Sequence, residues 1–262
     1  MKDVPLISCL CVTHNSLAQL QRSIACFKAQ TYPNKELLVL YESDNTAVGR
    51  ELAGAGDQNI RFVEVPASPK LPLGQLRNIA VEKSGGRFFC QWDDDDWYAS
   101  NRLEVQMQSI ADNCKPAGML LYWLMYDASR DQAYLSPFRL WEGSILCHKT
   151  MITGDCNYAS LAKGEDTILM GKLIENNAIF PIIRPNLYIY VFHGNNTWNY
   201  KHFNGFYAKG QKLSAAASLT VKHILDGVYS VEEGTELLNG EAFLNEINFK
   251  YRFVDAYNVV ME

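Results

Sequence analysis

The sequence lacks the patterns that mark membrane-spanning, disulfide-stabilised and nucleic-acid-binding proteins. Its apolar runs are too short to cross a bilayer, and we expect no signal peptide because no cleavage region follows the N-terminal residues. Its seven cysteines are odd in number and contain no C-x-x-C pair, which predicts reduced core residues in a cytoplasmic protein. The net charge of −5 argues against a nucleic-acid partner. Peripheral contact with a membrane is compatible with all of these features.

The 262 residues contain no internal repeat, low-complexity tract or linker that would separate two folded units. In the first half, short apolar runs such as Leu6–Val12, Glu36–Tyr41 and Ile60–Val65 alternate with stretches of helical spacing. This alternation predicts strands joined by crossover helices, and therefore an α/β fold with a mainly parallel central sheet flanked by helices. From about residue 200 the spacing is helical. We expect a helical C-terminal extension, residues 201–262, packed on a domain of residues 1–200.

Several local features make finer predictions about these elements. Ser16 and Gln19 have capping-box spacing before the first helix, and a short helix is expected around residues 47–53. Asn101 is expected to cap a later helix, and Met119–Tyr126 has the pattern of one strand. One helix of the extension is expected to bury an apolar stripe formed by Val221, Ile224, Leu225 and Val228.

Four consecutive aspartates, Asp93–Asp96, follow an apolar stretch that is typical of a buried strand. Crowded carboxylates repel one another and stay charged only where a positive charge lies among them. No lysine or arginine occurs between Arg87 and Arg102, so a hard divalent cation such as Mn2+ or Mg2+ is the expected counter-charge. The alternative is a solvated acidic turn. The neighbouring Trp92 and Trp97 favour a partly buried metal site instead.

Three further groups of polar residues have either a role in a binding site or a purely structural role. Thr13-His14-Asn15 end the first strand, where open parallel sheets hold nucleotides, although the same residues could cap the turn. Glu165-Asp166 begin a helix, and by residue type alone the helix macrodipole accounts for them. His193 follows an apolar strand, where a lone histidine is more often structural than a ligand.

Several motifs occur in a fixed order between residues 5 and 200. They are Ile7–Asn15 (ISCLCVTHN), residues 30–39 (QTYPNKELLV), 74–78 (GQLRN), 85–88 (GGRF), Asp93–Asp96, Arg102-Leu103, residues 164–166 (GED) and 193–197 (HGNNT). In this order they resemble the inverting glycosyltransferases of family 2, which have the GT-A fold and use nucleotide-diphospho-sugars. The combination is far more specific than any one motif.

The resemblance implies a role for each of these residues. Asp95 would be the principal metal ligand together with Asp93 and His193, while Asp166 would be the general base beside an orienting Glu165. The nucleotide-sugar would contact Thr13, His14, Asn15, Glu42, Arg77, Asn78, Asp93 and Asp94. One position departs from the family, since Glu42 replaces an aspartate that accepts a hydrogen bond from the nucleotide base.

The implied function is metal-dependent transfer of a sugar, with inversion, from a nucleotide-diphospho-sugar to a saccharide or lipid-linked saccharide. A UDP-sugar is the expected substrate, and synthesis of a surface or capsular polysaccharide is the expected role. Trp141, Trp198 and Tyr200 are candidates for an acceptor platform, although each could belong to the core. The alternatives are a non-catalytic carbohydrate- or nucleotide-binding protein on a degenerate glycosyltransferase fold and a nucleotidyltransferase. The last is disfavoured because no glycine-rich phosphate loop follows the first strand.

Overall fold

The computed structural model describes residues 4–14, 17–45, 48 and 57–247. Within these residues the strands are β1 Ile7–Thr13, β2 Lys35–Glu42, β3 Ile60–Val65, β4 Phe88–Gln91, β5 Trp97–Tyr98, β6 Ala117–Leu120, β7 Leu124–Asp127, β8 Gln132–Leu135, β9 Leu146–His148, β10 Ile179–Ile182, β11 Tyr188–Phe192 and β12 Gln211–Lys212. The α-helices are α1 Leu17–Lys28, α2 Leu73–Lys83, α3 Arg102–Asp112, α4 Thr167–Glu175, α5 Tyr200–Tyr207, α6 Ala215–Leu225, α7 Val231–Asn239 and α8 Glu241–Leu244. Short 3₁₀ turns occur at Glu142–Ser144, Lys149–Met151 and Pro185–Leu187.

The central sheet has seven strands in the order β10-β6-β9-β4-β1-β2-β3. β9 is antiparallel to both of its neighbours, and the other pairings of this sheet are parallel. Parallel strands must be joined by crossovers, and α1 and α2 supply these for the strands around β1. The predicted α/β fold with a mainly parallel sheet flanked by helices is therefore confirmed.

A second sheet of five strands has the order β12-β8-β7-β11-β5. It extends the fold beside the end of β4, because β5 follows the aspartate loop directly and pairs with β11. As a result, Asp93–Asp96 directly precede one strand of this sheet, and His193 directly follows the strand beside it. The sequence does not predict this pairing, because β5 is only two residues long.

The buried strands β1 and β2 explain why the first half of the sequence reads as apolar runs. Side chains alternate between the two faces of the sheet, so Cys9 and Leu37 pack with one core cluster while Leu10 and Leu38 pack with the other. Both faces are covered, and a strand covered on both faces is apolar at nearly every position. Seven free cysteines fit this environment, since five of them are buried.

Three of the finer predictions are wrong in whole or in part. Met119–Tyr126 is two strands, β6 and β7, which lie in different sheets, because the chain leaves the first sheet at Leu121–Trp123 without any change in burial. Asn101 occupies the N-cap position, but its side chain makes no capping hydrogen bond, and the Leu103 N–H donates to Gln30 Oε1 at 3.0 Å instead. Val228 is 61% exposed because α6 ends at Leu225 and Gly227 adopts a positive φ of 72°.

The helices after residue 200 pack onto the rest of the fold. Val221, Ile224 and Leu238 belong to the same apolar cluster as Trp97, and the Ser100 N–H donates to Thr235 Oγ1 at 2.8 Å. The division at residue 200 stays a prediction. The capping residue Ser16, the helix expected around residues 47–53 and residues 248–262 lie outside the described residues, apart from the single helical residue Val48.

The structure also bears on membrane topology. In the residues that it describes, none of the helices has both the length and the apolar content needed to span a bilayer.

Candidate active site

The carboxyl ends of β1, β2 and β4 open into a cavity of about 740 Å³. The predicted site residues that line it are Thr13, His14, Glu42, Arg77, Asp93, Asp94, Asp95, Trp141, Glu165, Asp166 and Trp198. Asn78 and His193 are not part of its lining, and Asn15 lies outside the described residues. The volume lies within the range of small-molecule and cofactor sites.

The backbone of the aspartate loop is held by three side chains from neighbouring elements. The Tyr98 hydroxyl donates to the Asp93 carbonyl at 3.0 Å, and Ser23 Oγ donates to the same oxygen at 3.3 Å. The Arg22 guanidinium donates to the carbonyl of Asp95. The loop is therefore a fixed and partly buried structure rather than a solvated turn.

The aspartates of this loop differ in their surroundings. Asp96 is fully buried and accepts hydrogen bonds from the Tyr188 hydroxyl and, at 2.9 Å, from the Val191 N–H, so it joins the loop to β11. Asp94 is 4% exposed and accepts a hydrogen bond from the Thr13 hydroxyl at the end of β1. Burial and the nearby Asp95 carboxylate raise the pKa of Asp94 to about 7. Thr13 thus reaches the aspartate loop directly.

Asp95 faces the turn that follows β11. His193 Nε2 lies 3.0 Å from Asp95 Oδ2, and Asn196 Nδ2 donates to the same oxygen at 3.1 Å. The turn is rigid because the Asn196 side chain also accepts from the His193 N–H and donates to the Val191 carbonyl. Asp95 and His193, which are 98 positions apart in the sequence, are in this way held as a pair.

The residues present fit a divalent cation that is shared with a substrate. Within the described ranges, no group of three or more His, Cys, Asp or Glu side chains is arranged as a metal site. Mg2+ is commonly held by only one or two protein ligands, with substrate phosphates completing the set. The 3.0 Å between Asp95 Oδ2 and His193 Nε2 is about the spacing of two adjacent octahedral ligands at roughly 2.1 Å from one ion.

Arg77 occupies the centre of the acidic part of the cavity. Its guanidinium contacts two carboxylates, with Nη1 3.1 Å from Glu165 Oε1 and Nη2 3.4 Å from Asp93 Oδ1. It also lies 5.7 Å from the ring of Tyr158. Burial opposes the charge of Arg77, but Asp93 and Glu165 outweigh burial and raise the pKa of Arg77. Its positive charge is therefore committed to side chains of the protein.

The motif at residues 74–78 positions the loop that precedes Asp166. Asn78 Nδ2 donates to the Tyr158 carbonyl at 2.8 Å, and its Oδ1 accepts from the Tyr158 N–H at 3.1 Å. A Cβ atom on Gly74 would lie 1.7 Å from the Ala159 carbonyl oxygen, so only glycine allows this approach. The structure thus shows that Asn78 holds this loop, and its contact with the nucleotide-sugar stays a prediction.

Glu165 and Asp166 differ in burial and in partners. Glu165 is 4% exposed and pairs with Arg77, and burial raises the pKa of Glu165. Asp166 is half-buried at the start of α4, and its side chain makes no capping hydrogen bond. The helix macrodipole still accounts for an acidic residue at this helix start, so the role of Asp166 as a base stays a prediction. The Asp166 carboxylate faces the cavity while that of Glu165 is held by the ion pair.

Glu42 ends β2 and is buried at the opposite end of the cavity. Its Oε2 contacts Lys70 Nζ and lies 3.4 Å from His14 Nδ1. Its Oε1 is buried and has no hydrogen-bond partner among the described residues. One carboxylate oxygen is therefore buried and unpaired among those residues. Sequence reasoning missed Lys70, because a lysine in a proline-rich loop carries no signal of this contact.

Aromatic side chains line the remaining wall. Trp141 stacks on Trp123 with centroids 4.6 Å apart and contacts Tyr190, so much of its surface is core. Trp198 is 37% exposed and stacks on the ring of His202 at 4.3 Å. Tyr200 does not line the cavity, and its hydroxyl donates to Asp127 Oδ2 at 3.3 Å.

The sequence similarity of the chain to known proteins agrees with this site. The sequence model of glycosyl transferase family 2 matches residues 8–133, which contain the first four strands of the sheet and the aspartate loop. The matched part, just under half of the chain, is similar to this enzyme family. Within the match lie the residues at the ends of β1, β2 and β4 that form one half of the cavity.

Two curated relatives match a shorter part of this chain. The Escherichia coli UDP-Glc:alpha-D-GlcNAc-diphosphoundecaprenol beta-1,3-glucosyltransferase WfgD is 32% identical over 113 residues, which is 42% of this chain and 43% of that protein. An uncharacterized glycosyltransferase of Haemophilus influenzae is 27% identical over 114 residues, which is 42% of this chain and 44% of that protein. The similarity thus spans less than half the length of either relative.

Solved glycosyltransferase structures share the fold over most of the chain. S. aureus TarS in complex with UDP-GlcNAc aligns with a TM-score of 0.60 at 13% identity, covering 92% of this chain and 79% of that one. The mannosyltransferase PcManGT from Pyrobaculum calidifontis, in complex with GDP-Man and Mn2+, aligns with a TM-score of 0.55 at 13% identity, covering 90% and 70%. The fold of this chain is therefore the GT-A fold.

Proposed function

We propose that this chain transfers a sugar from a nucleotide-diphospho-sugar to a saccharide acceptor, in a metal-dependent reaction with inversion at the anomeric carbon. The observation that carries the proposal is the single cavity that Asp93–Asp95 and Asp166 share. The match of residues 8–133 to glycosyl transferase family 2 supports the reaction class. A site for the diphosphate and a carboxylate for the acceptor hydroxyl are the two parts that such a transfer needs.

The nucleotide would bind across the ends of β1 and β2, as ligands of open α/β sheets do. Glu42 Oε1 is the buried acceptor without a partner, and an N–H of the base would satisfy it. Because Glu42 Oε2 is already engaged by Lys70, a base that offers one N–H fits better than a base that offers two. This favours a UDP-sugar, the substrate type present in the TarS complex.

Asp95 and His193 would hold the divalent cation, Mn2+ or Mg2+, with Asp93 beside them. The cation would supply positive charge that stabilises the departing nucleoside diphosphate. Arg77 cannot replace this charge, because its guanidinium is already paired with Asp93 and Glu165.

Asp166 would act at the acceptor. The acceptor oxygen forms a bond to the anomeric carbon, the bond from that carbon to the diphosphate breaks, and the hydroxyl proton passes to the Asp166 carboxylate. A single displacement of this kind inverts the anomeric centre. Glu165 would orient the site through its ion pair with Arg77.

The biological role belongs to the proposal as well. WfgD is named for transfer to a diphosphoundecaprenol-linked sugar, and a similar lipid-linked saccharide is the acceptor that we propose here. The product would then contribute to a surface or capsular polysaccharide. We place the reaction at the cytoplasmic side of the membrane that carries such an acceptor.

A panel of nucleotides tests the proposal. Thermal unfolding of the purified chain is followed with UDP, GDP and ADP and with UDP-sugars, each in the presence of Mn2+, Mg2+ or EDTA. Only ligands that bind the folded state raise the melting temperature, and we expect the largest rise with a UDP compound and Mn2+. Hydrolysis of the best nucleotide-sugar is then measured. Stabilisation without any turnover would favour the non-catalytic alternative, and no stabilisation by any nucleotide would contradict the proposal.

A further inference from the structure

Five side chains form one continuous row along the aromatic wall of the cavity, and we call this row the acceptor ladder. Lys163 Nζ lies 5.2 Å from the centre of the Trp198 ring, which stacks on His202 at 4.3 Å. His202 in turn contacts Phe206, with centroids 5.0 Å apart. The Arg139 guanidinium lies 5.6 Å from the Phe206 ring. All five residues line the same cavity, so the ladder is accessible to a ligand there.

The ladder combines flat rings with a positive charge at each end. Trp198 and Phe206 supply apolar faces of the kind that pack against pyranose rings. Lys163 forms no ion pair with a carboxylate in the part of the chain that the structure describes, so its charge is available to a ligand. Arg139 pairs with Glu142, which fixes its position at the other end and offsets part of its charge, so Lys163 is the cation that a ligand can pair with.

The positive charges of Lys163 and Arg139 influence His202, which lies between them in the ladder. Burial lowers the pKa of His202, and the positive charges of Arg139 and Lys163 lower it further. Both cations therefore lie within electrostatic reach of the middle of the ladder. A neutral sugar would gain nothing from this field, whereas an anionic group beside the sugar would be attracted.

We propose that the acceptor ladder binds a saccharide that bears an anionic group next to the sugar ring, with Lys163 as the residue that recognises the charge. This inference rests on the proposed function and specifies its acceptor. The anionic group is a phosphate or diphosphate at the reducing end of the sugar, or a carboxylate on the sugar itself. Lys163 would pair with it at the open end of the ladder, while Trp198 packs on the ring.

Three probes separate these sources of charge. They are N-acetylglucosamine α-diphosphate esterified with a short alkyl chain, an alkyl glucuronide, and an uncharged alkyl N-acetylglucosaminide. Binding to the full chain is measured by calorimetry and by tryptophan fluorescence, with and without UDP and Mn2+. Lys163→Gln is compared with Lys212→Gln, which changes an exposed lysine on β12 that does not line the cavity.

We expect one of the charged probes to bind the wild-type chain at least about fivefold more tightly than the uncharged one, with a preference that weakens as salt is added. Lys163→Gln should remove most of this preference and leave the uncharged probe unaffected, while Lys212→Gln changes neither. A preference for the diphosphate probe would show that the recognised charge is the diphosphate at the reducing end. A preference for the glucuronide would show that it is the carboxylate on the sugar.

The inference is overturned if the uncharged probe binds as tightly as both charged ones. It is also overturned if UDP binds and none of the three probes does. A third contrary result is that Lys163→Gln weakens the binding of UDP as much as the binding of the charged probe, because Lys163 would then contact the nucleotide-sugar. Failure of UDP to bind the wild-type chain would instead contradict the proposed function. Because the probes are also titrated without UDP, their binding is measured independently of that result.

Discussion

Arg77 and Glu165 form a buried ion pair, with Nη1 3.1 Å from Oε1, and the same guanidinium reaches Asp93 at 3.4 Å. One side chain of α2 thus connects the aspartate loop with the segment that begins α4. Because neither carboxylate can move without losing this contact, the aspartate loop and the segment that begins α4 are held in one fixed relation. Gly74 and Asn78 on the same helix dock the loop before Glu165, so α2 positions this half of the site.

Arg77→Met should destabilise the fold, because it leaves two buried carboxylates without their counter-charge. We expect a loss of about 3–5 kcal/mol in the free energy of unfolding, measured by urea denaturation. The matched control is Arg61→Met, which breaks a half-exposed ion pair with Glu36 and should cost about 1 kcal/mol or less. Adding Glu165→Gln to Arg77→Met should recover part of the loss. Equal losses in the Arg77 and Arg61 variants would contradict the central role of Arg77.

Asp95→Asn should impair metal-dependent nucleotide binding while the protein stays folded. The change keeps the shape of the side chain and relieves repulsion within a crowded acidic loop. We expect the Mn2+ concentration needed for half-maximal stabilisation by UDP to rise at least about tenfold. Asp155→Asn, at an exposed position outside the cavity, is the control. An unchanged Mn2+ requirement in the Asp95 variant would remove Asp95 from the metal site.

Asp166→Asn should retain the nucleotide-sugar and lose transfer. The amide cannot take the acceptor proton, so the turnover number should fall by about a hundredfold or more, measured with the nucleotide-sugar that stabilises the chain best. Glu175→Gln, at the exposed end of the same helix, should leave turnover unchanged. Near-normal turnover in the Asp166 variant would mean that Glu165 has to be tested as the base.

Trp198→Ala should mainly affect binding of the acceptor, whereas Trp123→Ala should mainly affect the stability of the fold. Trp198 is 37% exposed, so its removal should raise the Michaelis constant of the acceptor and change the free energy of unfolding by only about 1 kcal/mol. Trp123 is fully buried, and its removal should cost about 3–5 kcal/mol. Acceptor kinetics and urea denaturation of both variants give the comparison. A loss of stability in Trp198→Ala as large as that in Trp123→Ala would place Trp198 in the core.

His202 should make stability depend on pH. Burial, Arg139 and Lys163 lower the pKa of His202 in the folded chain below its unfolded value of about 6.5. The unfolded chain therefore binds more protons as the pH falls through that value, and stability is lost. His202→Gln should reduce the fall in melting temperature between pH 7.5 and 5.5 by on the order of 1 °C. His223→Gln, outside the cavity, is the control, and identical falls in wild type and His202→Gln would contradict this effect.

The sequence alone determines the class of fold and much of the site. The middles of β1 and β2 are unbroken apolar runs because parallel strands are covered on both faces, and this pattern is local. The same locality places Thr13 and the aspartates at strand ends, where the structure finds the cavity. Residue type and order also point to the enzyme family, which the match over residues 8–133 supports independently.

Only the tertiary structure decides which of the candidate residues act together. Periodicity reports whether a residue is buried, but not what covers it, so the change of sheet between β6 and β7 leaves no trace in the sequence. Arg77, Lys70 and Asn78 are ordinary polar residues in the sequence, and their partners lie on other elements. Asp95 meets His193 because β5 pairs with β11, a contact between segments 98 positions apart. Such contacts depend on how sheets and loops pack in space, and neighbouring residues along the chain do not encode them.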